Sequence, residues 1–483
     1  MAECSFSKVS LKGAFEPVWD FHTDLYCRLL YLRSQDEQTL FCVFDTGLTW
    51  SADTRRFRKE VSEKCGIPEK SIVFHELQLH AAPGGLSIHN GLDTIIARVA
   101  DEVNKMKSSA VPYTCEAAEA YMGTEYSFNR EQYVEGLGGV TVWTGMGFDK
   151  QGKPCTRDEG IMLLRDYRPN LETLKEPLYF DNQNDPLAYM FLFKDLKGNV
   201  LGSVSRFAAH PDVAVLFELR PVEGKAQMYR YDFDWPGYLS QKLEEEFGGT
   251  SIYMNGPCAD LTTKKGYDGI DDFISSDAEC KRIGLSIAEK IKAEFIANKR
   301  PLKNADFLRT ETFKVTVPMR DDMPKTVEEA RNGQREKIEK AKNIFDTYKT
   351  DPSKTPAQVK RTVDEYYKAM YNGPMAYDIC GFDDETLAKR EVEIDIPCVR
   401  FGEYLFVGVP GESLVELTTW LRATFTGSKT IPLDQCDGYY SYVATPRSLT
   451  LGGYTYWCSW TTRDTIPELQ KQLVPLMRKF LEE

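Results

Sequence analysis

The stretch HELQLHAAPGG, residues 75–85, combines two of the chain's five histidines with a sharp Pro-Gly-Gly turn. On a strand, alternate side chains share a face, so Gln78 and His80 would point one way and His75 the other. The glycines let backbone approach a ligand closely. The stretch therefore indicates either half of a metal or catalytic site, or a strand with a buried structural histidine.

Three other segments place polar groups at the ends of apolar stretches. His210 closes an apolar strand before Pro211, and Glu412 lies between an apolar strand and the first turn of a predicted helix. GYYSYVATPRSLTLGGYTYW, residues 438–457, carries five tyrosines. Two imidazoles and a carboxylate from separate strand ends can form a catalytic zinc site with an open position. The structural alternatives are that His210 is a histidine with satisfied hydrogen bonds, that Glu412 caps the helix, and that residues 438–457 form a packed aromatic loop.

Other site classes find no support in the sequence. It contains no Gly-rich phosphate loop and no Gly-x-Ser-x-Gly elbow. Four residues separate His75 from His80, so the stretch is not a His-Glu-x-x-His zinc motif.

The elements that would hold these groups alternate between strands and helices. The N-terminal half predicts strands at 25–34, 39–50 and 71–80, and helices at 51–66 and 90–109. Further predictions are a β-hairpin at 186–210, helices at 277–299, 411–425 and 465–483, and a strand at 403–410. The order predicts an α/β fold in which helices pack on a large mixed sheet.

We interpret residues 1–483 as one catalytic domain. Residues 325–371 are charged and helical, and they predict a helical hairpin inserted at the surface. A plain surface role is favoured for this hairpin, with a lid or a partner surface as the alternatives.

The composition indicates which binding partners and which cellular compartment to expect. The net charge of −13 and the pI of about 5.2 argue against nucleic acid and against anionic membrane surfaces. No stretch has the length of an apolar membrane span, and the first fifteen residues lack a secretory core. Twelve scattered cysteines without a Cys-x-x-Cys pair fit reduced thiols. We expect a cytoplasmic protein with a small-molecule substrate, and the sequence leaves open whether it forms a homo-oligomer.

Taken in order, several segments resemble the neutral/alkaline non-lysosomal ceramidases. LQLHAAPGGLS resembles that family's His-Thr-His-Ser-x-Pro-Gly-Gly signature, and SFNREQY resembles its Asn-Arg stretch. The hairpin that ends in His-Pro and the strand that ends in Gly-Glu also match. DFHTDLYCRLLYL resembles the family's early strand region, in which an Asp-Leu-Tyr-x-Arg-like stretch precedes a strand that ends in Asp, here Asp45. Tyr442 and Tyr454 keep the family's spacing of twelve residues. The resemblance covers roughly residues 15–460 and implies a catalytic domain that lacks the family's C-terminal immunoglobulin-like domain.

The resemblance also implies a role for each matched residue. Zinc or another divalent metal would be held by His210, Glu412 and Tyr442, with Gln78 in the place of the family's first histidine. An amide oxygen is a weaker ligand than imidazole for a borderline metal such as zinc. Catalytic roles fall to His80 for proton transfer, and to Arg130 and Tyr454 at the reacting carbonyl. The residues implied at the substrate are Gly84, Gly85, Asn129 and Thr262.

Three functional hypotheses follow from this reading. The first is a metal-dependent hydrolase of an amide or related acyl bond in a small soluble substrate other than ceramide. The second is a non-hydrolytic lyase or isomerase that acts on a polar metabolite through His80 and Tyr454. The third is a metal-free binding or scaffold protein that keeps the fold.

Overall fold

The structure is a computed structural model that describes residues 2–15, 20–35, 37–86, 91–134, 138–141, 146–148, 154–156, 183–214, 218–219, 228–263 and 273–482. Its strands, in chain order, are β1 Glu3–Ser10, β2 Asp20–Phe21, β3 Tyr26–Ser34, β4 Glu37–Phe44, β5 Ile72–Glu76, β6 Val111–Tyr121, β7 Ser127–Asn129, β8 Glu131–Val134, β9 Gly138–Thr141, β10 Met146–Phe148, β11 Pro154–Thr156, β12 Leu187–Asp195, β13 Val200–Phe207, β14 Glu218–Leu219, β15 Met228–Tyr231, β16 Thr250–Asn255, β17 Leu261–Thr263, β18 Arg300–Pro301, β19 Leu308–Pro318, β20 Glu391–Phe401, β21 Tyr404–Gly408, β22 Glu412–Ser413, β23 Lys429–Leu433 and β24 Tyr442–Val443.

The α-helices of the same residues are Ser51–Cys65, Gly91–Ser109, Asp234–Phe247, Phe273–Asn298, Val327–Arg331, Arg335–Thr350, Pro356–Pro374, Asp384–Lys389, Val415–Thr424, Pro446–Leu451, Tyr454–Trp457 and Thr465–Glu482. A short 3-10 helix, Glu69–Ser71, precedes β5, and a π-helical turn, Met375–Ile379, follows the helix Pro356–Pro374.

The larger sheet has the strand order β16-β13-β12-β6-β1-β3-β4-β5, and β18 also pairs with β6. Its pairs are antiparallel except for β4–β5 and β13–β16, which are parallel. The helices Gly91–Ser109 and Phe273–Asn298 pack on this sheet. Its central strands are buried on both faces, which explains their nearly continuous apolar sequences.

A second sheet has the order β19-β20-β21-β23 and faces the first. Phe41 meets Phe406 with ring centroids 5.8 Å apart, and Phe193 stacks on Phe401 at 5.7 Å. The helix Thr465–Glu482 packs on β19. The predicted α/β class with large mixed sheets is confirmed.

Most of the predicted elements are confirmed, including β3, β4, the hairpin β12–β13 and the long helices. The strand predicted at 39–50 ends at Phe44, and three further wrong boundaries matter for the site. The strand predicted at 71–80 ends at Glu76, and Gln78 has a left-handed φ of 60°. A left-handed residue breaks the two-residue alternation, so the argument that Gln78 and His80 share one strand face does not hold.

The other two boundaries concern His210 and Glu412. Strand β13 ends at Phe207, and His210 instead forms an isolated parallel bridge with Thr262. The helix predicted at 411–425 begins only at Val415, so Glu412 is not a helix cap. It lies in β22, where tertiary pairing with β24 sets its position.

The helices Arg335–Thr350 and Pro356–Pro374 pack against each other as a helical hairpin. That this hairpin is an insertion into one catalytic domain remains a prediction. Among the cysteines whose side chains the structure describes, eleven are free and buried. Within the described part of the chain, none of the helices has both the length and the apolar character needed to cross a membrane.

Candidate active site

His80 and His210 meet at the centre of the candidate site. Their Nε2 atoms are 2.9 Å apart, and the rings are edge-to-face with centroids 4.9 Å apart. The backbone holds the pair, because the His80 amide donates to the Pro211 carbonyl at 3.2 Å. His210 is buried, whereas the His80 side chain reaches solvent. The structure thus brings together two histidines that the sequence placed far apart.

The surroundings of His210 fix its tautomer. Its Nδ1 lies 3.3 Å from the Cys258 carbonyl oxygen, which can only accept, so Nδ1 carries the proton and Nε2 presents a lone pair. Burial lowers the pKa of His210 well below its ordinary value, and the charges of Arg130 and His80 lower it further. A neutral imidazole with a free Nε2 lone pair is the form that ligates a metal or accepts a proton.

Glu412 and Tyr442 are brought side by side by the parallel pairing of β22 and β24, in which they are register partners. Glu412 is buried, and its Oε1 accepts a hydrogen bond of 2.5 Å from the Tyr439 hydroxyl. Burial raises the pKa of Tyr442 well above its ordinary value, and the nearby Glu412 carboxylate adds to the rise. The tyrosine hydroxyl therefore keeps its proton at neutral pH in the metal-free protein.

Arg130 is the positive charge of the site. It is 2% exposed, and its Nη2 donates to the Tyr442 hydroxyl at 2.9 Å. Burial acts to lower the pKa of Arg130, but Tyr442, Asp212 and Glu412 outweigh this effect and the pKa is raised. The guanidinium therefore remains charged beside the tyrosine and the carboxylate.

Two buried oxygens at predicted ligand positions lack a donor. Among the described residues, none donates a hydrogen bond to Gln78 Oε1 or to Glu412 Oε2. An unpaired buried polar atom costs on the order of 1–3 kcal/mol, so such atoms call for a missing partner. A bound cation would satisfy a buried oxygen of this kind, and the residues present fit such a group on this ground. No hydrogen bond joins Gln78 Oε1 to another ligand candidate in the described part of the chain.

Tyr454 lies against Tyr442, with ring centroids 5.5 Å apart in an edge-to-face arrangement. The helical insertion packs on the same group, because Tyr371 lies 6.0 Å from Tyr454, and Tyr367 stacks on Trp457 at 4.6 Å. These aromatic side chains belong to one buried cluster around the tyrosine-rich loop. Trp457 is therefore a core residue, and the helical hairpin packs against the loop that carries Tyr442 and Tyr454.

The predicted substrate residues have structural contacts in the protein. Asn129 Nδ2 donates to Asp260 Oδ2 at 2.7 Å, and the Thr262 hydroxyl donates to Asp212 Oδ1 at 3.2 Å. Gly85 has a φ of 145°, and a Cβ there would lie 2.6 Å from the Leu48 carbonyl oxygen. Gly84, in contrast, is exposed. Contact of these four residues with a substrate remains a prediction.

Three positioning residues were missed by the sequence reasoning. Tyr439 holds Glu412 directly. Asp434 accepts from the amides of Ser413, at 2.9 Å, and Cys258, at 3.3 Å, and so ties β22 to the partner of His210. Asp260 accepts the Arg130 amide on its carbonyl and the Asn129 side chain on its carboxylate. Tyr439 could have been found from the sequence, because it lies in the tyrosine-rich segment. No feature of the neighbouring sequence distinguishes Asp434 or Asp260 from other aspartates.

The comparisons with known proteins identify the fold. No protein-family model matches the chain, and no curated protein matches its sequence. The crystal structure of neutral ceramidase from Pseudomonas aeruginosa is similar, with a TM-score of 0.64 and 13% identity over 99% of this chain and 75% of that chain. A ceramidase complexed with C2 is similar with a TM-score of 0.62, 12% identity and the same coverage. The chain has a divergent neutral ceramidase-like fold, which confirms the resemblance at the level of the fold.

Proposed function

We propose that the protein is a metal-dependent hydrolase of an amide or related acyl bond in a small soluble substrate. The observation that supports it most is the convergence of His210, Glu412, Tyr442 and Arg130, with two buried oxygens that have no donor among the described residues. This arrangement lies in a ceramidase-like fold, which favours acyl-transfer chemistry by analogy only.

Zinc or another divalent ion would be held by His210, Glu412 and Tyr442, with Gln78 as a weak oxygen ligand. Such an ion, when bound, supplies a water of lowered pKa and polarises a substrate carbonyl. His210 suits this role because its Nε2 presents a lone pair, which faces His80 Nε2 at 2.9 Å, and because burial holds its pKa low. Glu412 suits it because Tyr439 fixes Oε1 and leaves Oε2 available.

The remaining residues would handle protons and developing charge. His80 reaches solvent next to His210, which suits it to deliver a proton to the leaving amine. Arg130 stays charged and would stabilise the oxygen that becomes negative as the carbonyl is attacked. Burial raises the pKa of Tyr454 well above its ordinary value, so its hydroxyl remains a hydrogen-bond donor.

The aromatic packing around the tyrosine-rich loop supports a proposal for the substrate class. The insertion covers the tyrosine-rich loop with Tyr371 and Tyr367, and this cover favours a compact acyl group over a long chain. We therefore propose N-acyl amines with short acyl groups as substrates.

The test combines metal content with turnover. The purified full chain is analysed for bound metal and assayed on short N-acyl amines and on a long-chain ceramide. His210→Ala is expected to lose the metal of this site and the activity together. His80→Ala is expected to keep the metal and lose turnover, because a proton carrier is not a ligand. Loss of the metal in His80→Ala would instead make His80 a ligand in the place that Gln78 fills poorly.

The matched variant is Gln78→His, which restores an imidazole at the position where this chain departs from the ceramidases. It is expected to raise zinc affinity at least about tenfold, because imidazole is a much better zinc ligand than an amide oxygen. Hydrolysis of these substrates by a metal-free protein would refute the metal-dependent mechanism. A wild-type chain without metal or turnover on either substrate class would refute the proposal.

A further inference from the structure

We propose a second metal site, independent of the candidate active site, in which His22, Asp232 and Asp277 bind a divalent transition ion of the zinc class. The ligand atoms of these three side chains all lie within 4.8 Å of one another. Within the described ranges, no other group of three or more His, Cys, Asp or Glu side chains is as close.

The three side chains come from three separate elements that the fold brings together. His22 follows β2, and Asp232 follows β15, which pairs with β2 in parallel. The His22 amide continues this pairing by donating to the Tyr231 carbonyl at 2.9 Å. Asp277 projects from the first turns of the helix Phe273–Asn298. The backbone thus fixes the two ligand-bearing loops next to each other.

The distances suit a metal of this size. His22 Nε2 is 3.2 Å from Asp277 Oδ1 and 4.0 Å from Asp232 Oδ2. Ligand atoms around a tetrahedral zinc with bonds of about 2.1 Å lie about 3.4 Å apart. A shift of a few tenths of an ångström in the Asp232 carboxylate would complete the geometry.

Asp232 supplies an independent sign of a missing ligand. The residue is 2% exposed, and its Oδ1 accepts the Asp234 amide at 2.6 Å. Its Oδ2, in contrast, is buried and accepts no hydrogen bond from any residue that the structure describes. This oxygen is the atom that points toward His22 Nε2. A cation between them would satisfy it.

The charges of the group also favour a cation. A divalent ion would offset the electrostatic repulsion between the Asp232 and Asp277 carboxylates. Because one ligand is an imidazole nitrogen, zinc and related transition ions are favoured over calcium and magnesium, which prefer oxygen ligands.

The site is coupled to the loop that carries His80. The Asp232 amide donates to the Ala81 carbonyl at 2.8 Å, and Asp277 accepts a hydrogen bond of 2.5 Å from the Tyr238 hydroxyl. A bound ion would therefore tie β2, β15 and the helix Phe273–Asn298 together beneath this loop. We infer that the ion stabilises the fold around the site and takes no part in the reaction.

The experiment uses the full chain carrying His210→Ala, so that zinc at the active site does not contribute. After removal of metal with a chelator, Zn²⁺ alone is titrated calorimetrically, with Ca²⁺ and Mg²⁺ as competitors. We expect about one equivalent of zinc, which neither competitor displaces. Asp277→Asn, which keeps the side-chain shape, is expected to weaken zinc binding at least about tenfold.

Asp24→Asn is the matched control, because it removes the same charge two residues from His22 without touching the group. It is expected to leave zinc binding unchanged. Anomalous scattering at the zinc edge from crystals of the wild-type chain provides a readout that does not depend on any variant folding. The peak is expected beside His22 Nε2 and both carboxylates.

Two results would overturn the proposal. One is zinc binding to the His210→Ala chain that is equally tight with and without Asp277→Asn. The other is an anomalous map of zinc-soaked wild-type crystals that shows no peak beside His22. Failure of this site would leave the proposed hydrolase untouched, since that proposal depends on metal lost in His210→Ala.

Discussion

His75 makes the stability of the protein depend on pH in a way that can be calculated. It is fully buried, its Nε2 accepts the Asn255 amide at 3.0 Å, and its Nδ1 lies 3.4 Å from Cys436 Sγ. The ring thus joins β5, β16 and the segment that follows β23. Burial lowers the pKa of His75 from 6.5 to about 4.

The sign follows from the two states of the chain. In the unfolded chain His75 takes up a proton as the pH falls through 6.5, whereas in the folded protein it stays neutral until about pH 4. Acid therefore favours the unfolded state throughout this window. Between pH 7 and pH 5 the loss of unfolding free energy is about 2 kcal/mol, and it approaches about 3 kcal/mol near pH 4.

The measurement is urea denaturation, followed by tryptophan fluorescence, of the wild-type chain and His75→Gln at several pH values. Glutamine places an oxygen where it can accept the Asn255 amide but does not titrate. The wild type should lose about 2 kcal/mol more than the variant between pH 7 and pH 5. Above pH 7 the two curves should run parallel, because His75 is neutral in both states there. Equal pH dependence of the two proteins below pH 6.5 would refute the reasoning.

Two further predictions concern a loop and a helix near the site. Gly85→Ala should lower the unfolding free energy by at least about 2 kcal/mol, because the Cβ would meet the Leu48 carbonyl at a backbone conformation that favours glycine. Gly84→Ala, at the exposed neighbouring position, is the control and should change the unfolding free energy little in the same urea denaturation. Equal effects of the two substitutions would contradict the packing argument. Asp364→Asn should lower the unfolding free energy by about 3 kcal/mol, because it leaves the buried Lys360 ammonium, 2.7 Å away, without its charge partner. Adding Lys360→Met should recover part of this loss, and a double variant as unstable as the sum of the single ones would argue against the pairing.

Hydrophobic spacing along the chain predicted an element correctly where the buried residues of that element recur at the spacing of a strand or a helix. Strand β3 and the helix Gly91–Ser109 show their burial in their own residue spacing. The pattern was wrong at Gln78, where a non-glycine residue adopts a left-handed conformation. It was also wrong at Glu412, where pairing with β24, distant in sequence, replaces the helix that the local sequence favours. Tertiary packing overrides local preference at both positions.

The sequence by itself indicated the α/β class and the candidate residues His210 and Glu412, because residue types and hydrophobic spacing can be read along the chain. Arg130 became a candidate only through the resemblance to the ceramidases. Only the tertiary structure decided that His80 meets His210, that Tyr439 holds Glu412, and that His22 comes to lie beside Asp232 and Asp277. These contacts close long loops between distant segments. A local sequence window carries no information about which distant side chains will meet, since that depends on how whole sheets and helices pack.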